Sequence, residues 1–172
     1  MQFDEIKIEK LSRIHDTSKF DCGDEDINEF LKKDALMWQE RKLAVTRIFV
    51  YNDEIIGFSC TSADSIKLDL EERKNENGLD QKKMKEVPAI KIGRLGRSLK
   101  YKDQKVGEFI LKWTIGHVLE LSDSTGIRFV TVDSYPKKVE WYELFGFKQN
   151  LNGHYKKSKN VSMRFCLLNP PK

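Results

Sequence analysis

The chain is poor in the residues that build most special-purpose sites. Among 172 residues there are three cysteines, Cys22, Cys60 and Cys166, widely spaced and with no CxxC pair. That excludes a disulfide framework and a cysteine-rich zinc site, and it fits a reducing, cytoplasmic setting. The three histidines, His15, His117 and His154, fall into no HExxH or similar ligand spacing, so no metal is expected. No apolar run approaches the ~18 residues of a membrane span, and the opening MQFDEIKIEK carries no secretory pattern. A membrane partner is therefore not expected. Glycine-rich fingerprints are missing too: neither G-x-x-x-x-G-K-[ST] nor G-x-G-x-x-G occurs, which excludes a P-loop or Rossmann nucleotide site. Charge of one sign is only mildly in excess, with 31 Lys and Arg against 27 Asp and Glu, a formal +4. This suits an anionic ligand or RNA without demanding either. No RNP, KH or zinc-finger pattern accompanies the basic balance.

What is present is a patterned, globular chain. Hydrophobic residues reach 39%, and charged residues 34%, above the roughly 25% of an average protein. Because apolar periodicity runs through most of the sequence, the excess charge reads as surface and not disorder. The length predicts one domain spanning 1–172. Residues 5–10 alternate and predict a strand. DEDINEFLKKDALMWQE, 24–40, places Ile27, Phe30, Leu31, Ala35 and Trp38 on one helix face. Residues 44–52 and 54–63 are two β-rich runs around Asn52–Asp53, a hairpin signal. The polar stretch 71–86 predicts a solvated insertion, either a mobile loop or a short surface helix. A strand over 87–98, a helix over 104–122 and a strand over 127–133 follow. A short helix opened by Pro136 and closed by Gly146 comes next, and a final strand covers 160–168. The order β-α-β-β-β-α-β-α-β predicts an α/β fold with a mixed sheet flanked by helices.

The chemistry concentrates between Gly93 and Phe147. GRLGRS leads through a polar turn, LKYKDQK, directly into the long helix. A turn feeding a helix N-terminus presents free N–H groups and partial positive charge, so it can cradle an anion. Here the segment resembles the GNAT superfamily of acyl-CoA N-acyltransferases, in which a Q/R-x-x-G-x-G/A loop grips the pyrophosphate of acetyl-CoA. The matching residues are Lys102, Asp103, Gln104, Lys105, Val106 and Gly107. Gly107 matches, Lys102 stands for Gln or Arg, and Lys105 replaces the first glycine. The resemblance implies that main-chain groups of Leu95 and Arg97 hold the pantetheine arm. It also implies that Lys100, Lys102 and Lys105 bring positive charge toward the phosphates.

Downstream, VTVDSYPKKVEWYELFGF resembles the family element ending in Y-E-x-x-G-F, read here as Tyr142 to Phe147. The resemblance makes Tyr142 the acid that protonates the departing CoA thiolate. FDCGDEDINEFLKKDA, residues 20–35, resembles a signature of the branch that includes toxins acetylating the amine of aminoacyl-tRNA. Phe20, Cys22, Gly23, Phe30 and Leu31 match, and Ile27–Asn28 replaces Leu–Asp. The implied activity is N-acetyl transfer from acetyl-CoA, as cosubstrate, to a primary amine. The implied partners are a macromolecular acceptor, aminoacyl-tRNA or a protein amine, and an antitoxin. A small-molecule acceptor and a non-catalytic CoA-binding module stay open as alternatives, and so does a homodimer. No general base is identified; Asp133, Glu140 and Glu143 are candidates that read more readily as ordinary helix or strand-end charges. Cys22 and His117 read as structural.

Overall fold

The structure, a computed structural model, describes residues 1–76, 78–79 and 84–168. Part of the polar stretch expected over 71–86, and the last four residues of the single domain expected over 1–172, lie outside the described residues. Seven strands order as β1-β2-β3-β4-β5-β7-β6 in one sheet. They are β1 (Lys7–Lys10), β2 (Val45–Tyr51), β3 (Glu54–Ile66), β4 (Val87–Arg97), β5 (Phe129–Ser134), β6 (Lys148–Gln149) and β7 (Val161–Cys166). The helices are α1 (Glu25–Glu29), α2 (Ala35–Glu40), α3 (Leu70–Lys74), α4 (Val106–Ser122) and α5 (Val139–Glu143). The α/β fold with a mixed sheet expected from the sequence is the one observed. The chain divides into two units, Met1–Ser62 with Ile92–His117, and Ala63–Lys91 with Val118–Lys172.

In the first unit, β1 and β3 both pair antiparallel with β2. Asn52 and Asp53 take φ of 49° and 60°, the two left-handed residues of a tight hairpin turn whose twist matches its strands. A bulge follows: Phe49 pairs with Gly57 and Val50 with Ile55, which leaves Ile56 unpaired. The extra residue shifts the alternation, so Ile55 packs with Phe20, Phe30 and Phe58 while Ile56 packs with Phe49, Val106 and Ile110. The strands thus carry apolar side chains on both faces, with α1–α2 packed on one and α4 on the other.

The helical run over 24–40 is not the uniform helix its spacing predicts. Asp24 caps α1 by accepting the Ile27 N–H, and a wide turn at Phe30–Asp34 separates α1 from α2. One extra residue per turn rotates everything after it. Phe30, Leu31 and Ala35 are buried, but Trp38, expected on the same face, is 38% exposed and meets Phe30 edge-on. Gln39 makes the inward contacts instead, donating to the Leu11 carbonyl and accepting from the Thr46 N–H.

In the second unit β7 pairs antiparallel with β5 on one side and β6 on the other. Neither β6 nor the single-turn helix at Gly153–Lys157 carries a periodic signal, because both are too short. Where it is described, the stretch 71–86 contains the expected short helix, α3, and is largely exposed, but it is not solvated throughout. Glu72 and Glu76 are 4% and 6% exposed. Arg164 of β7, 5% exposed, donates to Glu72 at 2.7 Å and to Glu76 at 3.1 Å. Glu72 also closes a capping box with Asp69 and accepts the Leu151 N–H. A guanidinium with a planar fork of five donors can satisfy two buried carboxylates at once, which is why acidic residues in a polar stretch go inside.

Candidate active site

The sequence-predicted cofactor residues all fall in the first unit, at the end of β4 and the start of α4. Gly57 and Gly96 set the approach. A Cβ on Gly57 would stand 2.3 Å from Ile110 Cδ1 and 2.8 Å from the Gly96 carbonyl; one on Gly96 would stand 2.9 Å from Phe58. These two absences of side chain let α4 and β4 close on β3, and so place the turn between them. Leu95 and Arg97 are half-buried, and Arg97 donates to the Ser98 carbonyl at 3.2 Å. The Ser98 N–H is taken by Ile56 at 2.8 Å and the Leu99 N–H by the Asp21 carbonyl at 2.9 Å.

A single turn, Leu99–Tyr101, then runs into Lys102, Asp103, Gln104 and Lys105, all exposed. Lys105 has φ of 56°. This is the left-handed conformation that glycine adopts freely and other residues adopt at a cost. The position that matches the first glycine of the phosphate-loop motif therefore keeps a glycine's backbone while carrying an ammonium group. The Lys105 carbonyl accepts the Phe109 N–H at 3.0 Å and starts the ladder of α4. The preceding N–H groups of the first turn have no intrahelical partner, as at any helix start, and carry the positive end of a 17-residue dipole. Val106 is fully buried, so what it offers an anion is its backbone N–H; Gly107 adds a second with no side chain in the way.

The cations expected together on this segment separate into two kinds. Lys100 donates to Glu54 at 2.5 Å, and Tyr101 donates to the same carboxylate at 3.0 Å. These contacts hold the Glu54 carboxyl below its ordinary value, Lys100 being the larger cause. Lys102 and Lys105 are exposed and form no ion pair with any described residue; Glu108, held below its ordinary value mainly by Lys112, also feels the charge of Lys105. Glu54 lies 46 residues from Lys100, and no local pattern in the sequence signals that contact.

Tyr142 lies in the second unit, on α5. Its ring packs edge-on against Trp141 and Phe147 at 4.9 and 5.3 Å between centroids. The hydroxyl makes no hydrogen bond with a described residue. Burial pushes its pKa up to about 12, because the phenolate would lose solvation and gain no partner. Tyr142 is therefore a neutral donor throughout the physiological range. The helix that carries it opens after Pro136 and ends at Gly146 with φ of 88°, as the Pro-first, Gly-last pattern predicts.

No family model matches the sequence. The chain is 24% identical over 141 residues to the tRNA-acetylating toxin of Mycobacterium tuberculosis (strain ATCC 25618 / H37Rv), covering 81% of this chain and 82% of the relative. Its structure superposes on AtaT complexed with acetyl-methionyl-tRNAfMet at a TM-score of 0.79 and 20% identity, covering 94% of each chain. A tyrosine-to-phenylalanine mutant of the AtaT toxin, bound to acetyl-CoA and the C-terminus of the antitoxin AtaR, gives 0.75 at 20% identity. That match covers 96% of this chain and 95% of that one. The chain has the AtaT fold. The toxin-branch resemblance read from residues 20–35 thus meets toxins of the same kind in fold.

Two of the three base candidates, Asp133 and Glu143, resolve into ordinary contacts. Asp133 pairs with Lys91, and Glu143 accepts from Gln149 at 3.0 Å. Cys22 is half-buried, and burial raises its thiol pKa, which disfavours a nucleophilic thiolate. His117 stacks on Trp113 at 5.0 Å. A polar cleft of about 360 Å³ in the second unit is lined by Asp64, Lys67, Glu86, Lys91, Asp133 and Tyr155, with Lys67 3.5 Å from Glu86. Among the described residues, no group of three or more His, Cys, Asp or Glu could hold a metal ion, and no helix is long and apolar enough to cross a membrane.

Proposed function

We propose that this protein is an acetyl-CoA-dependent N-acetyltransferase whose acceptor is the free α-amine of an aminoacyl-tRNA. The observation that carries the reading is Lys105 at φ of 56° in the glycine position of a phosphate-loop match. A sequence that has lost the glycine has kept its conformation, at a cost in backbone energy. The relatives acetylate tRNA or hold acetyl-CoA, acetyl-methionyl-tRNA or an antitoxin, and these supply the acceptor class and a partner antitoxin.

In this reading the N–H groups of Val106 and Gly107, at the start of α4, donate to the pyrophosphate oxygens, with Lys102, Asp103, Gln104 and Lys105 forming the rim. Lys102 and Lys105 add two uncommitted charges. Main-chain groups of Leu95 and Arg97 hold the pantetheine arm. An aminoacyl ester amine has a pKa near 8, so a substantial neutral fraction exists at pH 7 to 8 without a dedicated base. Its nitrogen lone pair attacks the thioester carbonyl; the C–N bond forms and the C–S bond breaks. Tyr142 gives its phenolic proton to the thiolate sulfur, the new amide nitrogen releases one proton to water, and the phenolate recovers a proton from water. The pKa of Tyr142 near 12 suits a group that must be protonated when the thiolate arrives, and a buried thiolate is itself made more basic by the same desolvation.

The test is release of free thiol from acetyl-CoA in the presence of charged tRNA, with the acetylated aminoacyl-tRNA recovered. Turnover with aminoacyl-tRNA and none with uncharged tRNA is expected. Turnover on small amines alone would move the acceptor to that class. Tight acetyl-CoA binding with no turnover on any amine would make the protein a non-catalytic CoA-binding module.

A further inference from the structure

We infer that Asp21 and Asn28 are positioning residues that hold the phosphate-binding loop in register; the inference rests on the acetyl-CoA reading above. Both belong to the segment FDCGDEDIN, whose sequence resembles a branch signature but whose chemistry the proposed mechanism does not use. Within the first unit these side chains form a closed set of hydrogen bonds. One carboxylate oxygen of Asp21 accepts the Gly23 N–H and the Asn28 side-chain amide, each at 2.8 Å. The Asn28 amide oxygen accepts the Cys22 N–H at 2.9 Å. The turn so fixed needs Gly23 at φ of 81°, and a Cβ there would stand 3.1 Å from Leu99 Cδ2.

The output of this turn is one main-chain group. The Asp21 carbonyl accepts the Leu99 N–H at 2.9 Å, and Leu99 is the first residue of the turn that delivers Lys102 to Lys105. The next residues are tied from another side, Lys100 and Tyr101 both to Glu54. On the same sheet face Ile27 fills the space that Gly96 leaves, 3.0 Å from where a Cβ would be. The loop therefore hangs between two anchors, one from residues 21–28 and one from the β2–β3 hairpin. The side-chain bonds of Asp21 are exposed, and exposed polar contacts contribute little to global stability. Their geometric consequence is the entry direction of a loop whose backbone N–H groups must converge on a phosphate, where preorganisation determines affinity.

The experiment titrates purified protein with coenzyme A by calorimetry and measures KM and kcat with acetyl-CoA, for Asp21→Ala, Asn28→Ala and Asp21→Asn. Both alanine variants are expected to weaken coenzyme A about five- to tenfold and raise the KM for acetyl-CoA equally, with kcat within about twofold of wild type. Asp21→Asn keeps an acceptor oxygen and is expected to bind as wild type does, within about twofold. If the alanine variants do not fold, Asn28→Asp carries the test. It retains the acceptor for Cys22 but sets a carboxylate against Asp21, and the same weakening is expected. Wild-type affinity in the folded variants, with only the melting temperature lowered, overturns the inference alone. A wild-type protein that does not bind coenzyme A overturns the acetyl-CoA reading and this inference with it.

Discussion

Two regions of this protein use charge in opposite ways. In the first unit Lys102 and Lys105 stand exposed, without an ion pair to any described residue, on a turn that ends in a helix N-terminus. In the second unit Arg164 is sealed from solvent between Glu72 and Glu76, with Asn150 accepting another of its N–H groups at 2.9 Å. The first arrangement leaves positive charge available to a ligand. The second consumes it to hold α3 against β7. Both come from strongly charged stretches of sequence, so charge density alone says nothing about use. What separates them is the number of fixed partners each cation finds after folding.

The proposed ligand chemistry and the stability of the second unit rest on different residues, and substitution separates them. The largest effect is expected at Tyr142, the neutral counterpart of the loop lysines. Tyr142→Phe removes one hydroxyl that has no described partner, so stability should be nearly unchanged. The kcat for acetyl transfer should fall by about 10² to 10⁴ while coenzyme A affinity holds; unchanged turnover would remove Tyr142 as the acid. The same residue gives a pH signature. Its folded-state pKa, about 12, lies above the ordinary 10. Its contribution to stability is therefore complete below pH 10 and is lost as pH rises from 10 through 12. No alkaline loss of kcat from this group should appear below about pH 11 in a profile at saturating substrate.

Next in size is Arg164→Ala. Removing the guanidinium that pairs with both Glu72 and Glu76 leaves two buried carboxylates without it, which should cost about 3–5 kcal/mol. Thermal unfolding should shift down by roughly 10 °C, with KM for acetyl-CoA unaffected at temperatures where the variant is folded. A stable Arg164→Ala protein would contradict the sealed network. A smaller effect is expected from Lys102→Ala with Lys105→Ala. Each exposed cation is worth about 0.2–1 kcal/mol, so coenzyme A should bind several-fold more weakly and with a shallower salt dependence. The smallest is Lys100→Ala. Its ammonium is already committed to Glu54, the Tyr101 hydroxyl still ties the turn to that carboxylate, and coenzyme A affinity should stay within about twofold of wild type. Equal losses at Lys100 and Lys102 would erase the distinction between committed and free cations.

Much of the site is legible along the chain because its parts are local. The Asn52–Asp53 turn, the β4–α4 junction, and the Pro136 to Gly146 helix each follow from residues within a few positions of one another. Lys105 is the instructive case. Its letter breaks the glycine pattern, and only backbone geometry reveals that the pattern's conformation is retained. The wide turn at Phe30–Asp34 was illegible for a different reason. A 3.6-residue spacing that satisfies Ile27 through Trp38 gives no sign of one inserted residue, and the competing demand came from Gln39 reaching Leu11 and Thr46 on other segments. Glu72 and Glu76 read as solvated because their neighbours are polar; the residue that buries them is about 90 positions away.

From sequence alone follow the class of fold, the order of its longer elements and the two segments on which an acyl-CoA chemistry would rest. Periodicity and turn residues act over three to five positions and survive without tertiary context. Tertiary structure alone decided which charges are free. It paired Lys100 with Glu54 across 46 residues, enclosed Arg164 between two carboxylates, and joined the Asp21 carbonyl to Leu99 at the start of the turn before α4. Those outcomes depend on which distant backbones are brought within hydrogen-bond distance, and the sheet sets those distances.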